Sequence, residues 1–309
     1  MLEARIGRSG AQNTFANTSE GIASLAAFCH HHRVDLVAME ATGGYEKQAF
    51  AGLWAHGLPV SLLNPRRVRS FATAMGLLEK TDALDAGAIA WYAEAKGSLP
   101  TPPASAGQQR LRALVTRLRQ LTGVHTAQRN QSRLISDPAL LAMFDELLEV
   151  LKRQMRELET EIAALIAQDP LWRHLDPVLR TVKGVADRTV ARLMAEMPEI
   201  GTLSHKAISK LAGVAPLARD SGNHQGKRAV RGGRSAVREI LFVVAGVAAR
   251  YEPDFIAFRA RLAAAGKPPK VIRIALAHKL LVRLNAKARD LRRRLHPAQP
   301  RPTPCPTLP

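Results

Sequence analysis

The residues with the most chemical capacity lie in one stretch, GVAPLARDSGNHQGKRAVRGGRSAVRE, positions 213–239. Ser221 stands between an acid and a glycine. Lys227, Arg228, Arg231, Arg234 and Arg238 come after it, interleaved with Gly222, Gly226, Gly232 and Gly233. Glycine lets a backbone come close to a ligand, and clustered Arg and Lys suit phosphate. A hydroxyl nucleophile in a cationic loop is what phosphoryl transfer on a nucleic acid requires. The competing reading is a solvated basic loop whose serine closes a turn.

Acids form the second constellation. Glu40 ends the apolar run VDLVAME, and Asp82 and Asp85 lie in KTDALDA. An i, i+3 spacing puts Asp82 and Asp85 on one helix face. A carboxylate at a strand end opposite such a pair can collect Mg²⁺, and three acids held together repel one another unless a cation compensates. The plainer alternative makes Asp82 a helix cap and Asp85 a surface residue. A third feature is KGV at residues 183–185, where two helical segments meet. It reads as a helix-hairpin-helix, whose turn at Lys183 offers backbone N–H groups to DNA phosphate, although Gly is common in helix–helix turns anyway.

Charge singles out the same region. The chain has 309 residues and a net charge of +19. Residues 205–295 carry 21 Lys and Arg against 5 acids, the remainder 24 against 21, so the polyanion-binding module is the C-terminal third. Cys29 and Cys305 form neither a disulfide framework nor a zinc pattern, which fits a reducing cytoplasm. No secretory leader or membrane-spanning run is readable.

The elements that must position these residues divide into blocks. Residues 1–100 alternate strand patterns at 2–6, 34–40 and 58–64 with helical ones at 18–30, 44–56, 68–74 and 82–95, an α/β arrangement. A Pro-rich hinge occupies 97–105. Residues 105–170 carry leucines at helical spacing (Leu111, Leu114, Leu118, Leu121, then Leu147, Leu151, Leu158, Ile162, Leu165), as in a helical hairpin or coiled coil. They serve either as an ordinary packed subdomain or as a dimerisation arm, with Leu151 and Leu158 expected in the seam. A helical domain fills 175–295, and the Pro-rich residues 296–309 are expected to be a disordered tail.

Taken together, MEATGGYE, NPRRVRSFA, LEKTDALDA, LRALVTRLRQL, the 213–239 stretch and AAGKPPKV resemble, in order and over residues 1–290, the DEDD-type transposases of the bacterial insertion-sequence family numbered one-ten, also called bridge-RNA-guided recombinases. The resemblance implies an RNase H-like (RuvC-like) N-terminal domain with a carboxylate tetrad holding Mg²⁺, in which Glu40, Asp82 and Asp85 match the second, third and fourth members. It implies a coiled coil that makes dimers or tetramers. It also implies a C-terminal domain whose nucleophile is Ser221, forming a transient phosphoserine link to DNA in a site shared between protomers. A structured guide RNA and a bacterial, nucleoid-associated cytoplasmic location are implied by it as well.

One departure stands out. In the family the first tetrad acid lies on a GIDVSK-type strand, and this sequence opens at MLEARIG, which fits the second strand of the same hairpin. Either translation begins upstream or the copy is a truncated remnant. Two rival functions thus stay open beside the recombinase: an inactive DNA-binding remnant, and a RuvC-like nuclease that uses water and leaves no covalent adduct.

Overall fold

Helix starts are written in short polar–proline signals. Asn64, Asp137 and Asp169 each precede a proline and accept hydrogen bonds from two backbone N–H groups of the turn they cap. The capping oxygens satisfy donors that have no intrahelical partner, and proline at the first position loses nothing by lacking an N–H. Thr18, Ser105 and Ser204 cap three further helices. The computed structural model describes residues 1–77, 82–218, 220–222, 224–226 and 228–295. The expected disordered tail at 296–309 lies outside the described residues.

The chain divides into two units, residues 1–104 and 105–309. The first runs β1 (Leu2–Arg5), β2 (Gln12–Phe15), α1 (Ser19–His31), β3 (Val37–Glu40), α2 (Glu46–Ala55), β4 (Val60–Leu63), α3 (Pro65–Ala74) and α4 (Asp82–Lys96). The expected α/β alternation is present, with one addition: β2, whose QNTF sequence buries only Phe15 and so shows little pattern. β1 and β2 pair antiparallel, Leu2 opposite Phe15, and β3 and β4 pair parallel, Val37 opposite Val60. Among the described residues these are two separate two-stranded ribbons rather than one continuous sheet. Ile22, Leu25, Ala26 and Cys29 of α1 pack with Ala49 and Leu53 of α2 and with Phe15, Leu58 and Val60. Burial pushes the Cys29 thiol above its ordinary pKa.

The second unit is helical apart from one finger. It comprises α5 (Ala106–Ser132), α6 (Pro138–Gln168), α7 (Pro170–Arg180), α8 (Asp187–Glu196) and α9 (His205–Ala212). Four two-residue strands come next: β5 (Pro216–Leu217), β6 (Asp220–Ser221), β7 (His224–Gln225) and β8 (Ala229–Val230). The unit ends with α10 (Ser235–Tyr251), α11 (Pro253–Ala264) and α12 (Pro269–Leu295). α5 and α6 form the long hairpin that the leucine spacing predicts. Their leucines share one core with α7 to α12: Leu111, Leu118, Leu151 and Ile162 belong to the same buried cluster as Leu193, Leu241 and Leu280. At its centre the fully buried Asn285 accepts from the Gly201 N–H at 2.7 Å and donates to the Leu203 carbonyl at 3.0 Å, so its polar groups are matched.

Candidate functional site

Two sets of residues are arranged for chemistry, one in each unit. In the first, Glu40 at the end of β3 and Asp85 on α4 both line a cleft of about 800 Å³. Residues of β1, β3, α1 and α4 are among those that line it. The loop that leaves Glu40 is shaped by an acid of its own. One oxygen of Glu46 accepts from the Thr42 N–H at 3.0 Å and the Gly44 N–H at 2.8 Å. Burial works against the charge on Glu46, yet these backbone bonds outweigh it and hold its carboxyl below the usual range. Gly43 and Gly44 turn there with positive φ, which explains the paired glycines of the ATGGYE motif. Sequence reasoning missed Glu46; the available signal was an acid at the first residue of a helix, where the dipole favours it.

Asp82 begins α4, and its side chain lies outside the described residues. No group of three His, Cys or acidic side chains comes together among the described residues. Glu40 and Asp85 nevertheless share one cleft, and carboxylate oxygens are the hard donors that Mg²⁺ takes. The donor chemistry therefore fits a divalent cation.

In the second unit the middle of the 213–239 stretch, from β5 to β8, is a β-hairpin finger instead of a loop. β5 pairs with β8 at the base and β6 with β7 at the tip. Two residues separate the pairs on the outgoing arm and three on the return arm, so the register slips by one, as in a bulge. Ser221 pairs with His224 in register beside the turn that starts at Gly222, and it is exposed. Two of the glycines serve the protein itself. Gly213 and Gly233, both at positive φ, lie against each other where the finger leaves the helices, and a Cβ on Gly213 would overlap the Gly232 carbonyl.

The basic residues divide by role. The Arg234 guanidinium grips Glu199 bidentately, at 2.6 and 2.7 Å, and reaches the Glu196 carbonyl at 2.8 Å. Burial acts against the charge on Glu199, but the Arg234 bonds prevail and hold its carboxyl below the usual range. Arg238 donates to the Gly232 carbonyl at 2.7 Å. These two arginines, expected on the nucleic-acid surface, hold the base of the finger. Arg228 and Arg231 are exposed, and Lys227 lies outside the described residues. The turn at Lys183 is present, but its N–H donates to a Glu252 oxygen at 2.9 Å, and Glu252 also pairs with Arg283. A DNA phosphate at that N–H has to displace a carboxylate. Neither Glu199 nor Glu252 was legible in the sequence, since each partner lies 31 or more residues away.

A model described as "Transposase", for the DEDD transposases of the IS110 group, matches residues 4–144. A second, "Transposase IS116/IS110/IS902 family", matches residues 176–260. The chain belongs to the IS110 family of transposases. It is accordingly a DNA transposase or recombinase. The two family matches cover both the cleft and the serine finger. Two relatives are similar over nearly the whole length. They are the pilin gene-inverting proteins of Moraxella bovis and Moraxella lacunata, each 28% identical over 281 residues, covering 87% of this chain and 85% of theirs. No helix among the described residues is long and apolar enough to cross a membrane.

Proposed function

We propose that this IS110-family protein exchanges DNA strands through Ser221, with the acids of the N-terminal unit as its metal site and a structured RNA as its guide. The observation that carries the reading is the exposed Ser221 beside the tip of a finger whose base is fixed by the Arg234–Glu199 pair and the Gly213–Gly233 contact. A rigid base lets the tip present a hydroxyl without first ordering it. The Ser221 Oγ attacks a phosphodiester phosphorus and a phosphoserine ester forms, while the displaced DNA oxygen leaves with the electron pair of its P–O bond and takes up the proton that the serine hydroxyl gives up. Attack by a second DNA hydroxyl reverses the exchange and frees Ser221. One phosphate ester replaces another at each step, so no external energy source is needed. Arg228 and Arg231 are exposed in the same stretch, and their guanidinium groups would stabilise the charge that develops on phosphate.

Glu40, Asp85 and Asp82 would hold Mg²⁺, which supplies electrostatic stabilisation of the phosphate oxygens. The reading includes an RNase H-like character for the N-terminal unit and assembly into at least a dimer. In the test, labelled donor DNA is incubated with protein, guide RNA and Mg²⁺ and run on a denaturing gel. The protein carries label, and Ser221→Ala loses both this adduct and strand exchange, by at least a hundredfold, while retaining DNA binding. Cleavage without an adduct, unchanged in Ser221→Ala, would instead identify a water-using nuclease.

A further inference from the structure

A pocket of about 260 Å³ lies in the C-terminal unit among α5, α7, α8 and α12, and no residue of the finger lines it. Trp172, Leu175, Met194 and Ile200 give it apolar surface. Three polar side chains share it: Gln108, Asp169 and Arg292. The strand-exchange chemistry uses none of them.

Each of the three is only half committed to the fold. Arg292 donates from Nε to the Ile200 carbonyl at 2.9 Å and from Nη2 to the Pro198 carbonyl at 3.1 Å. Those bonds use the side of the guanidinium fork. Its end, Nη1 and the second Nη2 hydrogen, has no protein acceptor among the described residues. Burial alone pushes the Arg292 guanidinium below its ordinary pKa, with no carboxylate to offset it. Asp169 uses Oδ1 to cap α7, accepting from the Leu171 and Trp172 N–H groups, each at 2.9 Å, and Oδ2 stays open among the described residues. Gln108 donates through Nε2 to the Met194 and Ala195 carbonyls, each at 3.0 Å, so its Oε1 remains an acceptor.

A half-buried guanidinium without a counter-charge is costly, and the pocket suits a ligand that brings acceptors to Arg292 and donors to Asp169 and Gln108. Phosphate supplies the first and is repelled by the second; an ammonium does the reverse. A planar ring with apolar faces and both kinds of edge meets all the demands. The volume is below the roughly 300–1,000 Å³ of pockets for drug-sized molecules, which suits a single base. Guanine fits best. Its O6 and N7 form an acceptor pair for an arginine fork, and its N1–H and N2–H₂ form a donor pair for carboxylate and amide oxygens. Adenine and cytosine carry one donor group each, and thymine and uracil a single N–H between two carbonyls.

We propose that this pocket receives one unpaired guanine base of a nucleic-acid strand, held by Arg292 on one edge and by Asp169 with Gln108 on the other, and packed against Trp172. Sites that read an extruded base join hydrogen bonds on its edges to contact with aromatic and apolar side chains. The inference goes beyond the strand-exchange reading: it involves neither Ser221 nor the cleft acids, and its readout is binding.

In the test, the full chain is titrated with short labelled oligothymidylate strands carrying one central dG, dA, dC or dT, and with the matching uridine-based RNA strands. High salt suppresses phosphate contacts. The central guanine should tighten binding by about fivefold or more, the lower end of what a bidentate base contact discriminates. The DNA and RNA arms tell which strand supplies it. Asparagine caps a helix as well as aspartate, so Asp169→Asn should keep the melting temperature and the affinity for the all-thymidine strand while losing the guanine preference. A strand with one 6-thioguanine, photo-crosslinked and digested, should label peptides containing residues 105–108, 169–175 or 292. Should Asp169→Asn melt early, the position of the crosslink decides. Guanosine monophosphate is the free-nucleotide arm: its binding without any preference among the strands overturns the strand as the source. Equal affinity for all four bases, a guanine preference retained by folded Asp169→Asn, or labelling confined to other peptides likewise overturns the proposal.

Discussion

At the scale of single residues, the sequence shows charge but not what the charge faces. Arg234 stands in a run of arginines and reads as a phosphate contact, yet its guanidinium is matched to Glu199 by two parallel hydrogen bonds. Such fork-to-fork geometry is the strong form of an ion pair, and removing one partner leaves the other partly buried and unmatched. Glu199→Gln should therefore destabilise the C-terminal unit by about 1–2 kcal/mol at neutral pH, part of the bond being screened by solvent. The sign with pH is set by the lowered Glu199 pKa. Its contribution is complete above the ordinary carboxylate range, about 4.3, and is lost as pH falls through the lower folded value. Thermal melts of wild type and Glu199→Gln should thus differ at pH 7 and draw together as pH falls below the ordinary carboxylate range. A difference that persists undiminished in strong acid would show that Glu199 acts through packing alone.

At the scale of elements, the helices were readable and the finger was not. Polar–proline pairs and leucine spacing mark α3, α5 and α6 in the sequence because caps and buried faces are local properties. The finger is built from two-residue strands, too short to display a period, and its register depends on closure between residues 213 and 233. The same limit hid β2, which buries one side chain in four. The cleft acids were legible as positions only: Glu40 at a strand end and Asp85 on α4 line one cleft, and no group of three His, Cys or acidic side chains comes together among the described residues. Of the glycines read as making room for a ligand, Gly233 lies against the Gly213 backbone. Gly213→Ala combines a positive φ with overlap against the Gly232 carbonyl and should cost roughly 2–4 kcal/mol. It should lower the melting temperature of the C-terminal unit and reduce strand exchange. Gly222→Ala is the comparison, because nothing lies near its Cβ position and only its positive φ is penalised. Equal losses for the two variants would mean that the closed base of the finger is unimportant.

At the scale of the whole molecule, a proposed dimer needs an apolar surface that the fold leaves uncovered. The sequence placed it at Leu151 and Leu158, but Leu151 is only 7% exposed and Leu158 packs against the protein's own core. Charges there would unfold the unit before they could report on assembly. The uncovered stripe lies nearer the start of α6, where Leu140, Met143 and Leu147 are 47%, 67% and 41% exposed. Their i, i+3, i+7 spacing puts them on one face, the pattern with which helices pair. Burying such side chains gives roughly 1.5–3 kcal/mol each, so a symmetric seam doubles the contribution of each position. The substitutions Leu140→Asp and Met143→Asp together should convert dimer to monomer in light scattering at micromolar concentration. Both positions face solvent, so the helical circular dichroism and the melting temperature should hold. Nonspecific DNA binding should also hold, because the basic residues lie elsewhere in the unit. Recombination should fall with the dimer if the serine and the acids of one centre come from different protomers. A variant that is monomeric and fully active would break that link and place a complete centre in one chain. A variant that stays dimeric would move the seam away from α6.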